Sequence, residues 1–294
     1  MDLAARKPFR FGVNLTAPAG RREWVDKSRK AEELGYDVVC VPDHLGAPAP
    51  FPALVLAAEA TSSVRLCPFV LNTSFYNPAL LARDVACTDQ YVEGRLELGL
   101  GTGYVKAEFD AAGLPFPGPG ARIDHLEHTV RRLRVLFAEE EPRPAQHPGP
   151  PLLMAGHRDR MLRLAAREAD IVGFSGATFD HAGTSASVAT AEQLGERVDF
   201  VRREAGERAD RIELNLLIQK VVLTGDRESA LQSLRRYAPE LTDEQFSDVP
   251  ILLVGTARQV ADQLRAQRER FGFTYLTVLA PDMETFAEVI ELLR

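Results

Sequence analysis

The feature that most constrains the fold of this chain is the regular alternation of short apolar segments with amphipathic ones. Most of the short segments are continuous apolar runs, which is typical of strands in a parallel sheet that is covered on both faces. We predict eight such strands, at residues 9–14, 37–42, 65–71, 95–101, 151–155, 170–174, 212–223 and 275–279.

Amphipathic segments with helical spacing lie between the predicted strands. In the segment 123–138, Leu126, Val130 and Leu133 are spaced to form a single buried stripe. Eight strand–helix units predict a (β/α)8 TIM barrel with insertion loops, in one domain that spans residues 1–294. A doubly wound sheet is the alternative, but the nucleotide fingerprint that usually follows its first strand is missing.

Three stretches are predicted to be inserted loops, at 139–151, 175–190 and 238–250. The loops that follow the strands of a barrel build its active face. The 175–190 stretch is small and polar and follows the sixth strand, so it is a candidate lid. An ordinary surface loop is an equally good interpretation.

Composition excludes several classes of function. The chain has 35 Lys and Arg against 42 Asp and Glu, for a net charge of −7, which argues against a nucleic-acid surface. It has no apolar run of about 18 residues for a membrane span, and its first residues lack the apolar core of a signal peptide. Three cysteines cannot form a disulfide framework. We therefore expect a cytoplasmic enzyme with a small-molecule substrate and no nucleic-acid or membrane partner.

Polar residues stand where the second and third strands end, and strand ends are where a barrel carries its chemistry. The second strand runs into Asp43 and His44, and histidine exchanges protons near neutral pH. An alternative of equal weight to a functional role is that Asp43 caps a loop and His44 only packs against its neighbours. The third strand runs into Asn72, whose amide could bind the edge of a polar heterocycle.

The fourth strand ends in the alternate glycines Gly99, Gly101 and Gly103. Such glycines remove side chains where the backbone must approach something flat or crowded. A planar cofactor and tight packing within the barrel explain the pattern equally well. Tyr104 and Glu108 follow and could face the mouth of the barrel.

The fifth strand leads into the turn AGHRDR at the start of a helix. Free N–H groups, the helix dipole and basic side chains favour an anion there. We predict a phosphate site at Gly156, His157 and Arg158, extended by Ser175 and Gly176 after the sixth strand. An ordinary turn with solvated charges is the alternative.

His125 and His128 lie three residues apart on a predicted helix, a spacing that could hold a metal. No third ligand accompanies them, so we interpret them as a solvated helix face and predict no metal site.

Four segments that together extend along nearly the whole chain resemble the luciferase-like monooxygenase superfamily, and within it the branch that uses the deazaflavin coenzyme F420. The central motif is GRLELGLGTG, together with PDHL after the second strand. The segments are LGYDVVCVPDHL (34–45), NPALLARDVACTDQYVEGRLELGLGTGY (77–104), MLRLAAREADIVGFSG (161–176) and GTARQVADQLRAQRERFGFTYLTV (255–278).

The resemblance implies a barrel with a flavin or deazaflavin lying across its C-terminal mouth. The ring would rest against a bulge around Phe69–Val70, often built on a non-prolyl cis peptide, with Val70 behind the ring and Asn72 near its polar edge. Asp43 and Gly103 are expected among the cofactor-binding residues. The phosphate end would lie at the site predicted above, where relatives usually carry a glycine-rich turn instead of AGHRDR.

The resemblance also implies hydride transfer between F420 and a small organic substrate, by reduction or dehydrogenation of C=C, C=N or C–OH. His44 matches a histidine near the reacting ring in sugar-phosphate dehydrogenases of this branch, and is the first candidate for the proton donor or acceptor. Tyr104 is the second candidate and Asn72 an orienting group. Those dehydrogenases have a glutamate where this chain has Tyr104, so a different substrate is expected.

Two alternatives remain open at this stage. One is an FMN-dependent monooxygenase of the same superfamily, with flavin reduced by a partner enzyme. The other is a barrel without catalysis that acts as a binding protein, which the AGHRDR departure favours. The resemblance implies a homodimer or larger homo-oligomer.

Overall fold

The computed structural model describes residues 7–179 and 186–294. Parallel strands form one large sheet in the order β3-β2-β1-β13-β10-β7-β6-β5-β4. The strands are β1 (Arg10–Asn14), β2 (Val38–Val41), β3 (Arg65–Pro68), β4 (Leu71–Asn72), β5 (Leu98–Gly101), β6 (Leu152–Ala155), β7 (Ile171–Phe174), β8 (Ala177–Phe179), β9 (Ala186–Val188), β10 (Glu213–Ile218), β11 (Lys220–Leu223), β12 (Leu252–Gly255) and β13 (Phe273–Leu279).

The sheet closes into the predicted barrel because β3 and β4 are two halves of its third strand. The lower half, β3, pairs with β2 and bridges to Leu96 through Leu66, whereas the upper half, β4, pairs with β5. Between the halves lies the peptide bond Phe69–Val70, which is cis. The bulge therefore lies where the resemblance placed it.

Helices cover the outside of the barrel, and two short ones, Lys106–Ala111 and Asp243–Ser247, were not predicted from the sequence. They are α1 (Arg21–Glu33), α2 (Pro50–Ala60), α3 (Pro78–Tyr91), α4 (Lys106–Ala111), α5 (Pro119–Glu139), α6 (Asp159–Glu168), α7 (Ala191–Ala205), α8 (Arg227–Leu234), α9 (Asp243–Ser247), α10 (Ala257–Phe271) and α11 (Met283–Leu293). Capping boxes begin α7 and α10, at Thr190 and Thr256. The buried stripe predicted on α5 is confirmed, since Leu126, Val130 and Leu133 are at most 3% exposed.

The prediction of one strand over 212–223 is wrong. The barrel strand β10 ends at Ile218, and β11 pairs with β12 in a small separate sheet. The backbone N–H groups of Gln219 and Lys220 both approach the carbonyl oxygen of Ile251, where the chain leaves the barrel. A continuous apolar run gives no local sign of this departure, which depends on a partner strand 30 residues away.

Two of the three predicted loops contain secondary structure. The 238–250 stretch includes the short helix α9. The 175–190 stretch contains the antiparallel pair β8–β9, while residues 180–185 of the candidate lid lie outside the described residues. Within the described ranges, no helix combines the length and apolar character needed to cross a membrane.

The inside of the barrel has an apolar middle and a charged lower end. The middle includes Cys40 and Cys67, both of which are fully buried. At the N-terminal ends of the strands, Arg10 binds Glu97 and also Glu213, to which it lies at 2.5 Å, while Arg65 donates to Glu97 at 2.8 Å.

We call these four residues, Arg10, Arg65, Glu97 and Glu213, the charged floor. The charged floor was not predicted from the sequence. It fills the lower end of the barrel, and the polar residues expected to act on a ligand lie at the opposite end.

Candidate active site at the barrel mouth

Three side chains, one from the segment after β2 and two from the segment after β5, meet at the C-terminal mouth of the barrel. His44 follows β2, and its Nδ1 lies 2.8 Å from Oε1 of Glu108 on α4. The ring of Tyr104, which follows β5, meets the imidazole edge-on at a centroid distance of 5.9 Å. The His44 side chain is 40% exposed and Glu108 only 15%, so the carboxylate lies behind the imidazole.

The position of Glu108 depends on the next residue, Phe109. Phe109 is fully buried and contacts the rings of Phe75 and Phe116 at 5.2 and 4.9 Å. This aromatic contact holds the short helix α4 against the barrel wall and directs Glu108 towards His44.

Asp43 holds the backbone of β4, the strand segment that follows the bulge. Its Oδ2 accepts a hydrogen bond from the backbone N–H of Asn72 at 2.9 Å, and its carboxylate also interacts with the hydroxyl of Tyr76. Burial raises the pKa of Asp43, and those two hydrogen bonds oppose the rise. The side chain predicted to bind a cofactor is thus occupied in holding the strand that carries Asn72.

The alternate glycines make room for the bulge itself. A Cβ at Gly99 would overlap the carbonyl oxygen of Pro68, and one at Gly101 would lie 2.6 Å from Cγ2 of Val70. Of the two explanations left open above, crowding by the protein accounts for the glycines directly. The same contacts fix Val70 at the mouth of the barrel.

Asn72 lies flat against the third glycine of the series. A Cβ at Gly103 would overlap the amide of Asn72, and Gly103 also has a φ of 67°. The Oδ1 of Asn72 accepts from the backbone N–H of Ser74, whereas its buried Nδ2 has no partner among the described residues. A buried amide donor without a partner costs free energy unless a ligand or water accepts from it.

The AGHRDR turn joins β6 to the N-terminus of α6. Asp159 pairs with Arg197, and Arg160 pairs with Asp124, so two of its charges are used within the protein. Arg158 has no hydrogen-bond or ion-pair partner in the described part of the chain, and it stands at the N-cap of α6.

The adjacent His157 and Gly156 differ in what they offer an anion. Desolvation and the neighbouring Arg158 lower the pKa of His157, so the imidazole is neutral at pH 7 in the absence of an anion. A Cβ at Gly156 would overlap Met161. The glycine therefore serves packing against α6.

Ser175 and Gly176 lie beside this turn, because β6 and β7 are neighbours in the sheet. Ser175 donates its hydroxyl to the carbonyl of Ala177 at 2.5 Å. Gly176 has a φ of 61°, and a Cβ there would overlap Ile251. The two groups of predicted residues thus lie on separate parts of the rim: the His44 group after β2, β4 and β5, and the Arg158 group after β6 and β7.

The interpretation of His125 and His128 as a solvated face is half wrong. His128 is exposed, but His125 is half-buried and its Nε2 donates to the carbonyl oxygen of Thr73 at 3.0 Å. Among the described residues, no group of three or more His, Cys, Asp and Glu side chains could hold a metal ion.

Two residues of the mouth were not among the predicted site residues. The sequence suggested only that Glu108 could face the mouth, and the contact with His44 depends on how α4 packs. Nothing in the sequence indicated that Tyr76 lies at the mouth, because its partner Asp43 is 33 residues away along the chain. Burial and the nearby Glu108 raise the pKa of Tyr104, so its hydroxyl is protonated at pH 7.

Comparison with known proteins finds similarity along nearly the whole chain. Residues 1–275 match the family model described as luciferase-like monooxygenase. An F420-dependent glucose-6-phosphate dehydrogenase of Intrasporangium calvum is 32% identical over a 279-residue alignment that covers 85% of this chain and 80% of that protein. A protein of the same name from Kribbella flavida is 29% identical and covers 97% of this chain and 98% of its own length.

A solved structure shares the fold. The coenzyme F420-dependent tetrahydromethanopterin reductase of Methanopyrus kandleri superposes with a TM-score of 0.76 over 98% of this chain and 100% of its own, at 18% identity.

Proposed function

The chain belongs to the luciferase-like monooxygenase family, and from this premise and the geometry of the mouth we propose that it is an F420-dependent oxidoreductase. It transfers a hydride between the coenzyme and a small organic substrate. The observation that carries the proposal is the convergence of His44, Asn72 and the Val70 bulge at one mouth of a barrel, and the two dehydrogenases named above as similar to this chain are F420-dependent.

The residues of the mouth fit a planar deazaflavin. Val70, on the cis bulge, offers an apolar support for one face of the ring. The buried Nδ2 of Asn72 is a donor without a partner among the described residues, which a carbonyl on the polar edge of the ring would satisfy. Bound there, F420 supplies a carbon that takes up or releases a hydride.

His44 moves the proton that accompanies the hydride. Its Nδ1 faces Glu108, so Nε2 is the nitrogen left for a substrate. In dehydrogenation, Nε2 accepts the proton of the substrate hydroxyl while the carbon that bears this hydroxyl gives up the hydride. In reduction, Nε2 returns the proton to the substrate oxygen. The protonated hydroxyl of Tyr104, at the edge of the imidazole, is positioned to donate a hydrogen bond to the substrate oxygen.

Arg158 and the N-terminus of α6 hold the phosphate end of the coenzyme. Arg158 is a cation without an ion-pair partner in the described ranges, next to free N–H groups of a 10-residue helix. A phosphate beside neutral His157 favours its protonation and adds a second cation, because an adjacent negative charge stabilises the imidazolium. This places the AGHRDR turn as a charged substitute for a glycine-rich cradle.

The proposal is tested by two titrations of the purified protein, one with F420 and one with FMN, followed by fluorescence anisotropy. Selective binding of F420 is expected. Selective binding of FMN, with oxygen consumed once the flavin is reduced, would transfer the protein to the oxygenases of the family. Binding of neither ligand would favour the barrel without catalysis.

His44 gives the companion test in the same protein. We expect His44→Ala to leave the affinity for F420 within about twofold and to lower turnover by about 10²- to 10⁴-fold, the usual contribution of a general acid or base. Unchanged turnover would remove His44 from the mechanism. The matched control is His128→Ala, an exposed histidine on α5.

We further propose that residues 1–294 form one domain and that the protein assembles as a homodimer or larger. Leu80 and Tyr91 on the outer side of α3 are 54% and 65% exposed, which supports an apolar contact between copies. Light scattering that gives the mass of a single chain would contradict the assembly.

A further inference from the structure

We infer that Glu108 is the positioning residue of the site: its carboxylate fixes the imidazole of His44 so that Nδ1 carries the proton and Nε2 faces the substrate as the acceptor. The inference deepens the proposed function and rests on it for the nature of the reaction. The tautomer of His44, however, can be measured without any ligand.

The geometry admits one neutral tautomer. A carboxylate only accepts hydrogen bonds, so the 2.8 Å contact with Oε1 of Glu108 requires the proton on Nδ1 of His44. The two ring nitrogens point in different directions, and Nε2 therefore carries its lone pair away from α4. Carboxylates that orient a histidine in this way are a general device for fixing which nitrogen acts.

The support of Glu108 is rigid for so short a helix. Phe109 anchors α4 in the aromatic contact with Phe75 and Phe116, and Lys106 and Asp110 pair along its outer face at 2.6 Å. The side chain of Glu108 is mostly buried and α4 already directs Oε1 towards His44. Little side-chain conformational entropy is therefore lost when Glu108 forms its hydrogen bond with Nδ1 of His44.

The other ionisable groups around His44 do not compete for Nδ1. Asp43, the preceding residue, is held by Asn72 and Tyr76. Tyr104 meets the ring at its edge. Removing the charge of Glu108 therefore changes the electrostatics of the imidazole while the remaining groups keep their contacts.

The first experiment reads the tautomer by long-range ¹H–¹⁵N NMR of the six histidines at pH 8, with the His44 signals assigned by loss in His44→Gln. We expect the proton on Nδ1 in the wild type and in Glu108→Gln, whose amide oxygen can still accept. In Glu108→Ala we expect the proton to move mainly to Nε2. A wild-type His44 with its proton on Nε2 would overturn the inference.

The second experiment separates positioning from a merely structural role. We expect kcat to fall about tenfold in Glu108→Gln and about a hundredfold in Glu108→Ala, within the range for such orienting partners, with the F420 affinity unchanged. A merely structural role would instead lower the F420 affinity together with kcat.

Two controls complete the design. Asp110→Asn, on the outer face of the same helix, keeps wild-type rates and the wild-type tautomer. In a His44→Gln background, Glu108→Gln has no further effect on kcat, because the residue acts through His44. Equal losses in both backgrounds would make Glu108 structural. Absence of F420 binding with the expected tautomer would instead overturn the proposed function and leave the geometry of the pair standing.

Discussion

At the scale of single residues, the mouth of the barrel shows how much depends on which polar groups already have partners. Asp43 is used by Asn72 and Tyr76, and Asp159 by Arg197. Arg158, by contrast, has no hydrogen-bond or ion-pair partner among the described residues, which leaves its charge available to a ligand. The role of Arg158 can be tested separately, because Arg158 is proposed to bind the phosphate end of F420 and not its ring.

We expect Arg158→Ala to weaken F420 binding about tenfold, equivalent to about 1.4 kcal/mol, the lower end for a charge-assisted hydrogen bond. Binding of a deazaflavin that lacks the phosphate tail should not change. Anisotropy titrations with both ligands measure the difference. Arg167→Ala, in the last turn of α6, is the control, and equal losses for both ligands would place Arg158 elsewhere.

At the scale of elements, the third strand of the barrel, made of β3 and β4, and the fourth strand, β5, are fitted to one another. The bulge between β3 and β4 pushes Pro68, Val70 and the Asn72 amide towards β5, and glycines at 99, 101 and 103 receive them. The alternate glycines are therefore the complement of a neighbouring strand.

Gly99→Ala is expected to destabilise the protein by about 3 kcal/mol, since the new methyl group meets the backbone carbonyl of Pro68 and not a flexible side chain. Urea denaturation followed by circular dichroism gives the free energy of unfolding. Gly225→Ala, where a Cβ would meet nothing within 4 Å, should lie within about 0.5 kcal/mol of wild type. A similar small change at Gly99 would contradict the packing described.

A second element-scale prediction concerns the turn before β3, which the carboxylate of Glu32 caps. Slight desolvation would raise the pKa of Glu32, but hydrogen bonds from Ser63, Ser62 and Val64 outweigh it and lower the pKa to about 2. A lowered pKa stabilises the fold above the unfolded value near 4.5, and this contribution is lost as the pH falls from 4.5 towards 2.

Glu32→Gln should therefore cost about 1 kcal/mol at pH 7, a modest value because the carboxylate is only partly buried and is screened by solvent. The difference from wild type should shrink between pH 5 and pH 3. Urea titrations across that range test it, with the exposed Glu33→Gln on the same helix as control. A difference that stays constant with pH would exclude the ionised cap as its source.

At the scale of the whole molecule, the barrel separates stability from chemistry. Its charged floor lies at the N-terminal ends of the strands, and its candidate site lies at the C-terminal ends. Burial alone would lower the pKa of Arg10, but Glu97 and Glu213 outweigh it and raise that pKa. Arg10 therefore keeps its charge in the folded protein, and it does so because both carboxylates lie beside it.

Glu97→Gln should destabilise the protein by about 3 kcal/mol, because buried Glu97 is the counter-charge that two half-buried guanidinium groups share. The affinity of the folded protein for F420 should not change. Chemical denaturation and anisotropy measure the two quantities separately. Glu127→Gln, which removes an exposed pair on α5, should cost at most about 0.5 kcal/mol. A loss of F420 affinity in Glu97→Gln would show that the two ends of the barrel are coupled.

The place of the bulge came from the resemblance to a family, whereas the sequence by itself determined the class of fold and the strand ends that carry polar residues. These are local properties: apolar periodicity, punctuation by glycine and proline, and motifs such as PDHL and GRLELGLGTG. Tertiary structure alone decided that β11 leaves the barrel to pair with β12, that Asp43 supports Asn72, and that Glu108 meets His44. Each of these contacts joins residues 29 to 64 positions apart, and no local pattern records which distant partner a side chain will find once the barrel closes.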